Sequence, residues 1–111
     1  MYQIADAKIK GAICFVANCF GLGSKMVEAL YQSGAAAVIA GPGKNYISRL
    51  ARLGIIAGAD RLGARLLAHL RAGLATDRAL FAARDDVRVW ARFSPADRDA
   101  LEFQIDRSPT L

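Results

Sequence analysis

The sequence predicts an α/β domain: a small, mostly parallel sheet organised as a βαβ unit and flanked by helices. Three observations carry that prediction. "AICFVA", Ala12 to Ala17, and "AAAVIA", Ala35 to Ala40, are continuous apolar runs without alternation. Such runs are the mark of strands covered on both faces, as in parallel sheets. Between them lies a segment with helical spacing, and everything after Lys44 is dominated by helical periodicity. A strand, a crossover helix and a second strand within about 30 residues is the shortest unit that places two strands in parallel.

The first strand breaks at Asn18-Cys19 and a glycine loop, Gly21 to Gly23. Ser24 is a helix cap, followed by Met26, Val27, Leu30 and Tyr31 at helical spacing, and Gly34 supplies the stop. The second strand breaks at Gly41-Pro42-Gly43. "NYISRLARLGIIAG" leans helical through Ile47, Leu50 and Leu53. Asp60 is then read as the cap of a helix with Leu62, Leu66, Leu70 and Leu74 on one face. Thr76-Asp77 opens another helix, with Leu80, Val87 and Trp90 expected to point inward. Ser94-Pro95-Ala96-Asp97 has the residue types of a helix start. "LEFQID" alternates Leu101, Phe103 and Ile105 against Glu102, Gln104 and Asp106, the period of a strand with one wet face, suited to a sheet edge.

The chain of 111 residues is 54% apolar and 23% charged, enough to bury one core and too little for two domains, so residues 1–111 are read as a single domain. No apolar run reaches the roughly 18 residues that span a bilayer, and "MYQIADAKIK" lacks the order of a secretion signal, which points to the cytoplasm. The formal charge is +5, of which residues 1–43 supply only +1; the rest lies in the arginine-rich second half. There Arg alternates with Asp along helices, the habit of solvated faces more than of a nucleic-acid surface.

In parallel sheets, ligands and reactive groups collect at the carboxyl ends of strands. Two such ends stand out: Asn18-Cys19-Phe20-Gly21 and Gly41-Pro42-Gly43-Lys44-Asn45-Tyr46, expected to be neighbours. Cys14 reads as a buried mid-strand thiol. Cys19 sits where the strand gives out, close to a helix N-terminus whose dipole favours thiolate. The two cysteines, five residues apart, match neither a disulfide framework nor a zinc motif, and no metal or cofactor is expected. His69, the single histidine, shares a helix stripe with Arg61 and Arg65 and reads as an exposed surface residue. "GLGSK" and "GPGKN" each have a phosphate-loop flavour, but neither completes a phosphate-binding motif.

The order of these elements resembles the second half of the caspase-hemoglobinase fold, the fold of cysteine peptidases that includes caspases, gingipains and CHAT domains. "FVANCFGLG" is similar to the apolar strand, Cys motif and glycine loop of CHAT members. "YQSGAAAVIAG", "ADRLGARLLAHLRAGL" and "DRALFAARDDV" follow in the same sequence, and "FQIDRSPTL" is similar to the closing strand of gingipain-like domains. The resemblance implies Cys19 as nucleophile, backbone N–H groups near Cys19 and Gly21 facing the oxyanion, and Lys44, Asn45 and Tyr46 bordering a peptide-substrate pocket. It also implies a histidine base on a preceding parallel strand. Eleven residues precede Ala12, none of them histidine. The expectation is therefore a truncated peptidase domain, inactive alone, that is a fragment, an inactive remnant, or a half completed by another chain supplying the histidine, with the open sheet edge covered by a second copy or a partner chain. Two alternatives remain: a non-enzymatic α/β oligomerisation or interaction module, and an anion or nucleotide binder using the glycine loops with Lys25 or Lys44.

Overall fold

A computed structural model describes residues 9–17, 21–43 and 58–107. In chain order these form β1 (Ile13–Val16), α1 (Lys25–Gln32), β2 (Ala37–Ala40), α2 (Ala59–Arg71), α3 (Thr76–Arg88), a 3-10 turn (Trp90–Arg92), α4 (Pro95–Ala100) and β3 (Gln104–Ile105). The sheet has the order β1-β2-β3. β1 and β2 are parallel, with Ile13 opposite Ala37 and Val16 opposite Ala40, and α1 makes the crossover. β3 is antiparallel to β2, Ile39 facing Ile105, so the sheet is mixed and β3 takes the predicted edge.

The two-residue period of the strands distributes their side chains to two cores. Val16, Val38 and Ala40, with Cys14, meet Val27, Met26, Leu30 and Tyr31 of α1 on one face. Phe15 and Ile39 point the other way, into the larger core built by Leu62 and Leu66 of α2, Ala79, Leu80, Ala83 and Val87 of α3, and Phe103. Burying one such large apolar side chain contributes roughly 1.5–3 kcal/mol. Phe15 and Phe103 stack at 5.2 Å between ring centroids, bracing β1 to the chain that enters β3.

Small residues set the closeness of this packing. A Cβ on Gly63 of α2 would lie 3.2 Å from the Phe15 ring, and one on Gly41 would lie 2.6 Å from Phe103. α2 therefore sits directly on β1, and the end of β2 directly on the aromatic pair.

Several local expectations change. β1 is covered less completely than expected: only Val16 is buried, Cys14 and Phe15 are half-buried on opposite faces, and Ile13 at its start is exposed. α2 is capped at Gly58, whose φ of 62° suits glycine, while Asp60 lies inside the first turn. Trp90 points outward, not inward, because α3 ends at Arg88 and the 3-10 turn rotates the chain off the helical stripe. Asp106 belongs with Gln104 to the polar set of the alternation, yet Gln104 is exposed while Asp106 is buried beneath α1, whose Tyr31 hydroxyl reaches the Asp106 carbonyl.

Candidate functional site

The carboxyl ends of β1 and β2 lie side by side. After Val16 the chain leaves through Ala17 and returns at Gly21, which is buried. Leu22 N–H then donates to Gly41 C=O at 2.9 Å, tying the loop after β1 to the loop after β2. The expected neighbourhood of the two loops is thus present in Gly21 to Ser24 and Gly41 to Gly43. Cys19 falls outside the described residues, as do Lys44, Asn45 and Tyr46; of the site residues read from the sequence, Gly21 alone is placed.

What holds this loop is a carboxylate from the far end of the chain. Asp106 Oδ2 accepts from Gly23 N–H at 2.5 Å, and Asp106 N–H donates to Val38 C=O at 2.7 Å. Tyr31 of α1 donates its hydroxyl to Asp106 C=O at 2.6 Å and accepts from Val38 N–H at 3.2 Å. Loop, crossover helix, β2 and β3 therefore meet at one buried aspartate. The Ser24 hydroxyl accepts from Val27 N–H at 3.3 Å, as its cap role predicts. Gly23, at φ 74°, takes the left-handed conformation the turn requires. The amide at the centre of "GLGSK" is consequently committed to an internal anion.

Cys14, a free thiol in mid-β1, is half-buried, and desolvation pushes its pKa up, away from thiolate. It is an inert contrast to any reactive cysteine.

A second polar cluster lies among α2, α3 and α4. Asp97 is fully buried; its Oδ1 accepts from Gly58 N–H at 3.0 Å and from Arg61 Nε at 2.9 Å, and its Oδ2 has no partner. Arg61 also stacks on Trp90, 4.3 Å from the ring centre. One turn along, Arg65 Nε donates to Asp86 Oδ2 at 2.9 Å, and His69 Nε2 meets the same oxygen at 2.6 Å. The hydrogen bond with His69, reinforced by Arg65 and opposed by partial burial, holds the Asp86 carboxyl below its ordinary pKa. His69 is thus a half-buried clasp between α2 and α3, not a free surface residue.

Sequence reasoning missed Asp97, Asp106 and this clasp. One signal was available for Arg61: a cation in the first turn of a helix opposes the macrodipole and calls for a partner. Among the described residues no group of three His, Cys, Asp or Glu side chains is arranged to hold a metal, and no helix is long and apolar enough to cross a membrane.

Searches against protein-family models, curated proteins and solved structures find no match to this chain.

Proposed function

We propose that this chain is half of a caspase-like, CHAT- or gingipain-like cysteine peptidase domain, with Cys19 the nucleophile and the histidine base supplied from outside residues 1–111. The observation that carries the reading is the parallel β1–β2 pair whose carboxyl-end loops are hydrogen-bonded to one another. Residue 19 belongs to the first of those loops. A further support is that β1, among the described strands, has a neighbour on one side only and leaves Ile13 exposed. A parallel strand added there would end beside the Cys19 loop, which is where a base must stand.

In this reading the histidine takes the Cys19 proton, and the thiolate adds to a peptide carbonyl. Backbone N–H groups near Gly21 face the oxyanion, an interaction worth a few kcal/mol of barrier. The imidazolium returns the proton to the departing amine, and water then hydrolyses the thioester. Lys44, Asn45 and Tyr46 border the pocket, and Asp106 positions the loop through Gly23.

The test is thiol chemistry. A Cys14→Ser chain, with Cys19 as its single thiol, is alkylated with iodoacetamide across pH 6–9. Reaction at neutral pH faster than that of a model cysteine peptide is expected from a thiolate at a helix N-terminus. A rate equal to the model peptide's refutes an activated Cys19.

A second reading, an interaction module, is favoured by the exposure of Val89, Trp90 and Phe93 around a single 3-10 turn. Light scattering over a concentration series separates it: a stable dimer with an unreactive Cys19 is its signature. A nucleotide-binding role for "GLGSK" is weakened by the bond from Gly23 to Asp106.

A further inference from the structure

A surface cavity of about 400 Å³ is lined by Arg61, Ala64, Arg65, Asp86 and Trp90. Arg61 and Arg65, one turn apart on α2, are each anchored through Nε, to Asp97 and Asp86 respectively, and among the described residues the Nη groups of both make no hydrogen bond. Anchoring fixes the guanidinium planes and leaves their outer donors unspent. That arrangement is pre-organised to receive a carboxylate, because its rotamer cost is already met by the inner ion pairs.

Beside the cavity the chain reverses through Val89, Trp90 and Phe93, which are 59%, 48% and 81% exposed. An aromatic ring left four-fifths in water has no role in this chain's own core. Arg88 precedes this turn and Arg92 ends it; Arg88 pairs with Asp85 only at 3.7 Å, and among the described residues Arg92 has no ion pair. The surface is thus apolar, aromatic and net positive, next to a cavity lined by two guanidinium groups.

We propose that the Arg61–Arg65 cavity and the adjoining Val89–Phe93 turn form a docking site for an acidic peptide segment of a partner protein. One carboxylate side chain of that segment enters the cavity between the two guanidinium groups, and apolar side chains beside it cover Val89 and Phe93.

The charges and shape select this occupant. A second copy of the chain would bring Arg88 and Arg92 against their own counterparts. A lipid surface accepts protruding side chains but does not fill a cavity. A nucleic-acid strand needs successive cations along its phosphates, whereas here Asp85 and Asp86 interrupt the arginines. Asp86 does not repel a single carboxylate strongly, since Arg65 and His69 already engage it. The site is independent of Cys19 and stands whether or not the chain is a peptidase half.

Trp90 is the single tryptophan of the chain and sits in the site, so its emission reports occupancy directly. The full chain is titrated with a short blocked peptide containing Glu-Leu pairs, with the same peptide carrying Gln for Glu, with oligo-dT, and with anionic phosphatidylserine vesicles. A saturable change in Trp90 emission with the Glu peptide alone is expected, weakened about tenfold or more in Arg65→Ala and in Arg92→Ala. Both residues are exposed, so these variants are expected to keep the fold, which circular dichroism checks; Phe93→Ser, also exposed, removes the apolar half of the contact and weakens binding likewise. Equal binding of the Gln peptide, tighter binding of oligo-dT or vesicles, an unchanged affinity in both arginine variants, or no saturable signal at all each overturns the proposal.

Discussion

Asp106 and Gly23 are 83 residues apart in the chain and joined by a 2.5 Å hydrogen bond from the Gly23 amide to the Asp106 carboxylate. The last described strand thereby fixes the loop that follows the first. A buried carboxylate accepting the amide of Gly23, the residue before the Ser24 cap, satisfies a loop donor and also lies favourably in the dipole of α1.

Asp106→Ala removes this acceptor and leaves the Gly23 amide without a partner. A hydrogen bond to a charged group contributes about 1.5–3 kcal/mol, so a loss of stability in that range is expected. Urea denaturation followed by far-UV dichroism measures it. A midpoint within error of the wild type would mean that the loop is held by other contacts.

Gly41 offers a steric test of the same region. A methyl group there meets Phe103 Cε1 at 2.6 Å, and Phe103 has nowhere to retreat, being fully buried and stacked on Phe15. Gly41→Ala is expected to cost about 1–3 kcal/mol, the range for overpacking a close-packed core. The companion change Phe103→Leu in the Gly41→Ala background relieves the clash; a double variant less costly than the sum of the two single changes confirms contact between the sites.

The His69–Asp86 clasp predicts acid lability with a definite sign. The Asp86 carboxyl has a folded-state pKa below its unfolded value. Its contribution is therefore complete above the ordinary carboxylate pKa, near 4, and is lost as pH falls through the lower folded value. Melting curves of wild type and Asp86→Asn are expected to differ most at neutral pH and to converge in strong acid. Replacing His69 with Ala removes the largest cause of the depression, its hydrogen bond, so the Asp86 carbon resonance in NMR should titrate at higher pH. An unmoved titration would assign the depression to Arg65.

Local and nearest-neighbour features were legible in the chain: the apolar runs of β1 and β2, the Ser24 cap, the Ser94-Pro95 helix start and the adjacency of the two glycine loops all follow from short-range rules. Asp97, Asp106 and Trp90 were not. An aspartate in an alternating or capping pattern reads as solvated, and partners distant in sequence, such as Arg61 for Asp97, 36 residues away, and Gly23 for Asp106, 83 residues away, make its burial tolerable. Trp90 continued the inward stripe of α3 on paper; two residues of helix termination at Arg88 turned it outward. Cys19, on which the proposed chemistry rests, lies between Ala17 and Gly21 in the sequence, outside the described residues.

Arg61 and Asp97 give the sharpest asymmetry. Asp97 is fully buried, whereas the Arg61 side chain is 20% exposed and in contact with the cavity. Removing Arg61 strands a carboxylate in the interior with a single amide donor from Gly58, and breaking a buried pair in that way costs about 3–5 kcal/mol. Removing Asp97 strands a guanidinium that can still reach water, together with one amide, and should cost nearer 1–3 kcal/mol. Arg61→Ala is therefore expected to unfold at lower urea than Asp97→Ala. The double variant Arg61→Ala/Asp97→Ala, which leaves no buried charge, should be more stable than Arg61→Ala alone. Reversal of that order would show that Asp97 is not the member of the pair shut off from solvent.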